Sequence, residues 1–573
     1  MATQVAAPSV GRSAGEQSDR LGRAVASIER HWPWALGVLL FLSGALIMYM
    51  GRGLTFFYDD WNFVTEDYGG GFHSLMKAHV GNISVFPIAA YKVLFHLVGL
   101  NHYAVFRLAV VLLHLIAGAL VFVLASRRIA RAPALLAATL ILFLGAAWED
   151  LLWGFQIGYM LSIVGGLAAW VLLERHDRLG DLAASACLMV SVGSSSLGIA
   201  MMAGVAAELM WRRQDRRRIW VVLVPAMLYV LWYLGYGESQ VTKESLIAAP
   251  GFFADMIAAA FGGLIGRGLE WGRPLAVLGV LVLLRYLTRP RPISARLAGL
   301  LATGVALWAI TAAARSTTST PETSRYIYLG AVVIVLVGVE LLRGVTVSPR
   351  ALAVAGVLVL AAVVTGLAVL HNGAEGLRAD SRVVGAELGA LEIAAAYVPS
   401  TYQPDSQRAP QITAGSYLHT VRAIGSTPAD TPAQIVASDV TTRTEVDTYL
   451  LKLEGDGALA PATSGMQLSG RLPLVANVGG TPPVRRLACW TTTAVGSGAY
   501  TEFVLPPAGL LVRAGSQAVQ VVARRFSPPL GGVELGVVAP RRTDVIRFPT
   551  DASGRPWFVR LASGAPIGVC GVG

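Results

Sequence analysis

The chain has 573 residues, of which 54% are hydrophobic and only 14% charged, and its mean hydropathy is +0.58. Soluble proteins carry about 25% charged residues, so an ordinary soluble fold is excluded and an integral membrane protein is implied, with length left over for a domain outside the bilayer. The net charge of +11 does not mark a nucleic-acid binder, because it sits in short clusters between apolar runs: Arg127, Arg128 and Arg131; Arg212, Arg213, Arg216, Arg217 and Arg218; Arg285, Arg289, Arg291 and Arg296. That is the distribution of cytoplasmic loops.

Residues 1–33 are polar, carry Arg12, Arg20, Arg23 and Arg30, and read as a disordered cytoplasmic tail. No small-residue cleavage site follows, so the first apolar run is expected to stay as an anchor. Runs of spanning length are predicted at 34–51, 103–125, 133–148, 157–174, 181–194, 197–211, 219–236, 273–288, 297–313, 325–343 and 351–370. With the N-terminus inside, the basic loops 126–132, 175–180, 212–218, 289–296 and 343–350 all fall on the cytoplasmic side. The loops 52–102, 149–156, 237–272 and 314–324 then fall outside. Residues 34–370 therefore predict a multi-pass domain of about eleven transmembrane helices in the plasma membrane. Within the long first external loop, 84–99 reads as an interfacial helix. Residues 252–268 read as interfacial or re-entrant, since a full span there would put Arg285, Arg289 and Arg291 outside.

Residues 371–400 read as a partly helical connector. From 401 to 573, short alternating runs such as AVQVVARRF and GVELGVV, separated by turn clusters such as SPPLGG, predict an extracytoplasmic, all-β, sandwich-like domain. Cys489 and Cys570 are an even pair there and suggest a disulfide in an oxidising compartment. Cys187 lies in an apolar run and reads as a packing residue.

The candidate chemistry lies in the external loops. Asp59 and Asp60, between Tyr58 and Trp61 in YDDWNF, stand directly beyond the first span. Ionised groups beside hydrocarbon are costly unless they are solvated or used. At that depth a carboxylate can take the proton of an acceptor hydroxyl while a lipid-linked donor stays in the bilayer; the competing reading is a helix cap. Glu149, Trp153 and Gln156 combine a carboxylate, an indole and an amide suited to sugar hydroxyls, against an aromatic belt with solvated acids. Arg315, Glu322, Arg325, Tyr326 and Tyr328 surround the loop before the tenth span. An arginine there can hold a phosphate through two parallel donors or snorkel to headgroups; Arg325, followed by a Tyr-x-Tyr step, is the preferred candidate. Tyr58 and Trp61 beside the doublet, Glu322, Tyr326 and Tyr328, and His79 and Asn82 in HVGN are further candidate substrate contacts. No metal-ligand spacing, phosphate-cradling glycine loop or nucleic-acid module is evident.

Taken in order, YDDWNF, HVGNISVFPIAAYKVLF, WEDLLWGFQIGY, SSSLG and SRYIYLGAVV resemble the GT-C superfamily of membrane glycosyltransferases, and within it an actinobacterial polytopic group, over roughly residues 34–345. The HVGN stretch departs from the family's more common histidine-rich form. The resemblance implies an inverting transfer from a polyprenyl-phosphate-linked sugar to an extracytoplasmic glycan, lipid or protein acceptor. It implies Asp59 as the base, with Asp60 beside it; the residues themselves add Arg325 or Arg315 at the donor phosphate. Because the leaving group is already a phosphate, no cofactor is required, and a divalent cation at the doublet is compatible. Two other readings stay open. A transporter or flippase for a lipid-linked glycan calls for paired charges near the midplane, and a non-catalytic scaffold would work through a glycan-binding β-domain.

Overall fold

The computed structural model describes residues 10–573 apart from 67, 80, 290, 291 and 455–457; the side chains of 10–20 and 454 are not described. The chain forms two units. The first takes residues up to 54, 62–98 and 102–378; the second takes 55–61, 99–101 and 379–573.

The first unit is helical. Its elements are α1 (Val10–Met50), α2 (Phe72–Met76), α3 (Val85–Val98), α4 (Tyr103–Ser126), α5 (Arg131–Leu142), α6 (Trp148–Leu152), α7 (Ile157–Leu173), α8 (Arg178–Val192), α9 (Leu197–Trp211), α10 (Trp220–Tyr236), α11 (Lys243–Leu264), α12 (Leu269–Leu287), α13 (Ala295–Arg315), α14 (Ile327–Leu341) and the first part of α15 (Pro349–Ile393), whose residues from 379 on belong to the second unit. A lipid-embedded backbone must satisfy its hydrogen bonds within the segment, which selects helices for these apolar runs. Among the described residues, nine helices are long and apolar enough to cross a membrane. All eleven predicted spans coincide with helices, although α8 and α9 have only 15 residues each.

The tail expected to be disordered is helical wherever it is described. α1 starts at Val10 and reaches Pro33 with only a kink at His31 (φ −106°, ψ 20°). Residues 10–32 contain no proline and many good helix formers, and the kink lies just ahead of Pro33, whose ring clashes with the preceding turn. Residues 1–9 lie outside the described residues.

Ion pairs gather the basic clusters at one end of the bundle. Arg128 pairs with Glu340 at 2.8 Å and with Glu174 at 2.8 Å, Arg296 reaches Glu174 at 3.1 Å, and Arg218 holds Asp181 and, at 3.4 Å, Asp215. Arg291 lies outside the described residues. The partners come from α4, α7, α8, α13, α14 and the segments beside them, so the loops expected to share a side do share one.

The opposite end carries α11. Its length and composition would let it cross a membrane, but both of its ends are held at the same level. Ser245 Oγ donates to the Ala313 carbonyl at 2.6 Å, near the end of α13. At the other terminus a Cβ on Gly263 would meet Ile327, which opens α14, and Ala146. α11 thus lies across the bundle end, as expected for 252–268; α12, where the span 273–288 was expected, is not among those nine helices. We call this the cleft end.

The second unit corrects the predicted boundary. Residues 401–458 were read as part of a β-rich domain, but α16 (Ala414–Ile424), α17 (Pro432–Ala437) and α18 (Val440–Glu454) precede the first strand, and α15 runs unbroken through the expected connector to Ile393. Capping boxes start α16 and α17: the Thr413 side chain accepts from Ser416 N, and that of Thr431 from Gln434 N. The strands are β1 (Leu459–Pro461), β2 (Leu468–Ser469), β3 (Leu474–Val478), β4 (Val484–Arg486), β5 (Cys489–Thr492), β6 (Tyr500–Val504), β7 (Leu510–Arg513), β8 (Val519–Arg524), β9 (Val533–Val538), β10 (Thr543–Ile546), β11 (Phe558–Ala562) and β12 (Ile567–Val572). They form one antiparallel sheet in the order β1-β10-β7-β12-β5-β4, with β2 also on β12, and a second in the order β3-β6-β11-β8-β9. Phe503, Val521 and Val559 from one sheet share a core with Val512, Ile546 and Val569 from the other, which makes a sandwich. The core extends to Ile393, Val446 and Leu450 of the helices. The Asp447 carboxylate fastens α18 to the end of β8 by accepting from Phe526 N and Ser527 N, each at 2.9 Å. The expected disulfide joins Cys489 and Cys570, which face each other in register on β5 and β12.

Candidate functional site

In the second unit, the acidic doublet sits on a turn with unusual backbone geometry. Tyr58 has φ +46°, a region a bulky residue enters only when its surroundings enforce it. Here Tyr58 N donates to the Arg408 carbonyl at 2.8 Å, and Arg408 is itself held by Asp380 at 2.8 Å and Asp405 at 3.2 Å. The turn separates the two carboxylates in role. Asp60 is fully buried, and its Oδ2 accepts from Phe57 N at 3.1 Å. Asp59 is half-buried, and its Oδ1 accepts from Gln411 Nε2 at 3.1 Å. Asp60 is thus bonded within its own turn, and Asp59 is the more accessible acid. Trp61 is fully buried against Phe56 and Tyr417, with ring centroids 5.8 Å apart in both cases.

In the first unit, a cleft opens at the cleft end of the bundle. Asn82, Tyr159, Ser196, Tyr233, Glu238, Gln240, Arg315 and Tyr326 line it, and each stands beside a helix terminus or on a connecting loop. Asn82 is fixed by Ser196 Oγ, which donates to its Oδ1 at 2.6 Å. The loop that carries Asn82 is pinned by an antiparallel bridge between His79 and Asn82. Burial pushes the His79 imidazole down to about 4, so it is neutral at physiological pH, and its ring packs edge-on against Phe63 at 5.4 Å.

Beside the cleft-lining Tyr326, Arg325 is already engaged. Glu149 Oε2 accepts from Arg325 N at 3.0 Å, and Oε1 lies 3.4 Å from Nη1. Ser324 Oγ completes the lock, accepting from Glu149 N at 3.1 Å and donating to the Ala146 carbonyl at 2.8 Å. Behind this pair Asp150 is fully buried, and neither carboxylate oxygen has a hydrogen-bond partner among the described residues. The same holds for Gln156 Oε1. Deeper in the bundle Tyr328 OH and His114 Nδ1 are 2.8 Å apart, with both side chains fully buried. Arg107, also buried, donates through Nε to the Leu152 carbonyl and through Nη2 to the Ile47 carbonyl, each at 3.0 Å. It thereby ties the ends of α1 and α6 to α4.

The chain is similar to ArnT from Cupriavidus metallidurans. The crystal structure of that protein holds undecaprenyl phosphate; the match has 14% identity and a TM-score of 0.41, and covers 64% of this chain and 81% of that one. It is a likeness of chain trace and assigns no residue. No family model and no curated protein matches the chain.

The expected site residues thus divide. Asn82, Arg315 and Tyr326 come together in the cleft, and Glu149 and Arg325 pair beside it. Three aromatic candidates are packing residues instead: Trp61, Trp153 (against Phe155 at 5.3 Å) and Tyr328 are 3% exposed or less. Glu322 is exposed and caps α12 by accepting from Leu269 N at 2.6 Å, where a carboxylate suits the helix dipole. Of the two candidate arginines, Arg315 lines the cleft, and Arg325 stands beside it, held by Glu149. Sequence reasoning missed Tyr159, Glu238 and Gln240, although WGFQIGY and the loop 237–242 fall among the predicted external segments. Among the described residues, no group of three or more His, Cys, Asp or Glu side chains is placed to hold a metal ion.

Proposed function

We propose that this protein is a GT-C-type inverting glycosyltransferase that moves a sugar from a polyprenyl-phosphate donor to an acceptor hydroxyl on the extracytoplasmic face of the plasma membrane. The reading is carried by the polar cleft at one end of an otherwise apolar bundle, in which an arginine, an amide, a carboxylate and tyrosines line one space. That set suits a phosphate joined to a sugar: the guanidinium for the phosphate, the amide, carboxylate and phenols for ring hydroxyls. The position of the cleft at a helix-bundle end suits a donor whose tail stays in lipid. The arginine clusters support a cytoplasmic place for the ion-paired end, and the Cys489–Cys570 disulfide supports an oxidising compartment for the β-domain.

In this scheme the acceptor oxygen attacks the anomeric carbon as the bond to the phosphate oxygen breaks, and the bonding pair leaves with the phosphate. The hydroxyl proton passes to Asp59. Arg315 stabilises the charge that grows on the departing phosphate, while Asp60 holds the turn. A divalent cation would be an addition to this scheme and not a requirement.

The buried Asp150, with the His114–Tyr328 pair deeper in the bundle, is the observation that favours the rival flippase reading. The two part in one assay. Purified protein given a polyprenyl-phosphate sugar and a hydroxyl acceptor releases polyprenyl phosphate if it is a transferase, and moves the intact donor across a vesicle membrane if it is a flippase.

A further inference from the structure

The sandwich has a cleft of its own. It measures about 410 Å³, within the range of small-molecule sites, and lies at one end of the second unit's two sheets. Its walls come from the segment before β3 (Arg471, Pro473), the end of β6 (Leu505, Pro506), Arg525 after β8 and the 548–557 loop between β10 and β11. Phe548 and Trp557 stack at 4.5 Å, and the Arg525 guanidinium lies 4.4 Å over the Trp557 ring.

Three arginines and one aspartate give this cleft a positive lining. Arg525 and Trp557 are 6% and 3% exposed, and Arg525 Nε and Trp557 Nε1 have no hydrogen-bond partner among the described residues. Buried donors are rarely left so. The one carboxylate in the lining, Asp551, is already used: it accepts from Arg525 Nη1 and, at 2.9 Å, from Ser553 N. Arg471 and Arg555 add exposed guanidinium groups at the rim. Across residues 459–573 there are eleven arginines, no lysine and four acids, a net charge of +7. A ligand that fits must bring acceptors and negative charge, and must also lie against proline and aromatic edges.

We propose that this cleft binds an anionic saccharide, a sugar unit bearing a carboxylate or a phosphate. The rim arginines take the anion through parallel N–H donors. The sugar's ring oxygens and hydroxyls accept from the exposed guanidinium groups of the rim, and its C–H faces lie on Leu505, Pro506 and Phe548. A bare anion would use only the arginines and leave the apolar wall wet.

The test is calorimetric titration of the purified full-length protein with tetragalacturonate, mannose 6-phosphate, neutral maltotetraose, inorganic phosphate and a short-chain phosphatidylglycerol. The expected result is that tetragalacturonate or mannose 6-phosphate binds at least about tenfold more tightly than the other three; which of the two does so identifies the anion. Affinity should fall as salt rises from about 50 to about 200 mM, because the rim is exposed. The Arg471→Ala/Arg555→Ala variant, whose changes are on the surface, should keep the wild-type Tm and lose about tenfold or more in affinity, the worth of one or two charge-assisted bonds. Equal binding of maltotetraose, tighter binding of phosphate or phosphatidylglycerol, no binding at all, or a double variant that binds like wild type would each overturn the assignment. The readout is binding and not transfer, so this proposal and the transferase reading fail separately.

Discussion

Replacing Asp59 and Asp60 one at a time separates a base from a structural acid. In Asp59→Asn the amide oxygen still accepts from Gln411 Nε2, which is 3.1 Å from Oδ1 in the wild type, so the turn and the donor affinity should survive. What is lost is the proton acceptor. A positioned general base contributes about 10²- to 10⁴-fold, or about 3–5 kcal/mol of barrier, and kcat should fall by that factor while the donor Kd stays the same. Asp60→Ala acts differently. It removes the Asp60 carboxylate that accepts from Phe57 N in a part-buried turn, which costs about 1–3 kcal/mol and releases Tyr58 from φ +46°, so Tm and activity fall together. Asp60→Asn keeps an oxygen for Phe57 N and should be close to wild type in both. Single-turnover transfer, donor titration and thermal unfolding of the four proteins make the comparison. Wild-type turnover in Asp59→Asn, or an Asp60→Asn protein as slow as Asp59→Asn at unchanged Tm, would refute the division.

Arg315→Ala should weaken donor binding and lower kcat together, by about tenfold or more each, because the phosphate is held in ground and transition states alike; Arg325→Ala should leave donor binding intact and lower stability by about 1–3 kcal/mol, since Glu149 loses its partner, and the opposite pattern in the two variants would return the phosphate to Arg325. The Glu502 carboxylate, bonded by Arg524 at 2.6 Å and Arg560 at 2.7 Å, is held below the usual carboxylate range despite its burial. Its contribution is full above the ordinary glutamate value of about 4.3 and is lost as pH falls through the depressed one, so Tm should decline on acidification below about pH 4–5. Glu502→Gln should flatten that decline and cost about 3–5 kcal/mol at neutral pH by leaving two arginines unpaired; an unchanged pH profile would count against it. The disulfide closes an 81-residue separation, so Cys570→Ser should cost up to about 4 kcal/mol in the chain-entropy picture, and an impermeant maleimide should label neither cysteine on intact cells before reduction.

Much of the helical unit was legible because lipid imposes a single rule. A long apolar run must be a helix, and arginines sort its ends; Arg128, Arg218 and Arg296 do meet their acids at one end. The placement of α11 followed from the same logic, since a full span would have exported Arg285 and Arg289. The helices before the sandwich were missed because α16 and α17 are 11 and 6 residues long, too short for periodicity to speak; the capping signals Thr413-x-x-Ser416 and Thr431-Pro-x-Gln434 were there to be used. At the site, residue type and loop position located Asn82, Arg315 and Tyr326 but not the pairing of Arg325 with Glu149. Trp61, Trp153 and Tyr328 failed as candidates for the same reason: an aromatic beside a polar loop can face the ligand or the core, and only packing decides. The different burial of Asp59 and Asp60 comes from one turn, with Tyr58 at φ +46°, that no local pattern announces.

The central claim is that a sugar leaves a polyprenyl phosphate on this protein. The direct measurement is incubation of purified wild-type and Asp59→Asn protein with polyprenyl-phosphate-linked [14C]mannose, [14C]glucose and [14C]arabinose, together with envelope glycan as acceptor. The account predicts that at least one donor yields free polyprenyl phosphate and acid-stable label in the glycan with wild type, and at least about a hundredfold less with Asp59→Asn. Wild-type protein that binds a donor and returns it unchanged, or an Asp59→Asn protein that transfers at the wild-type rate, would contradict it.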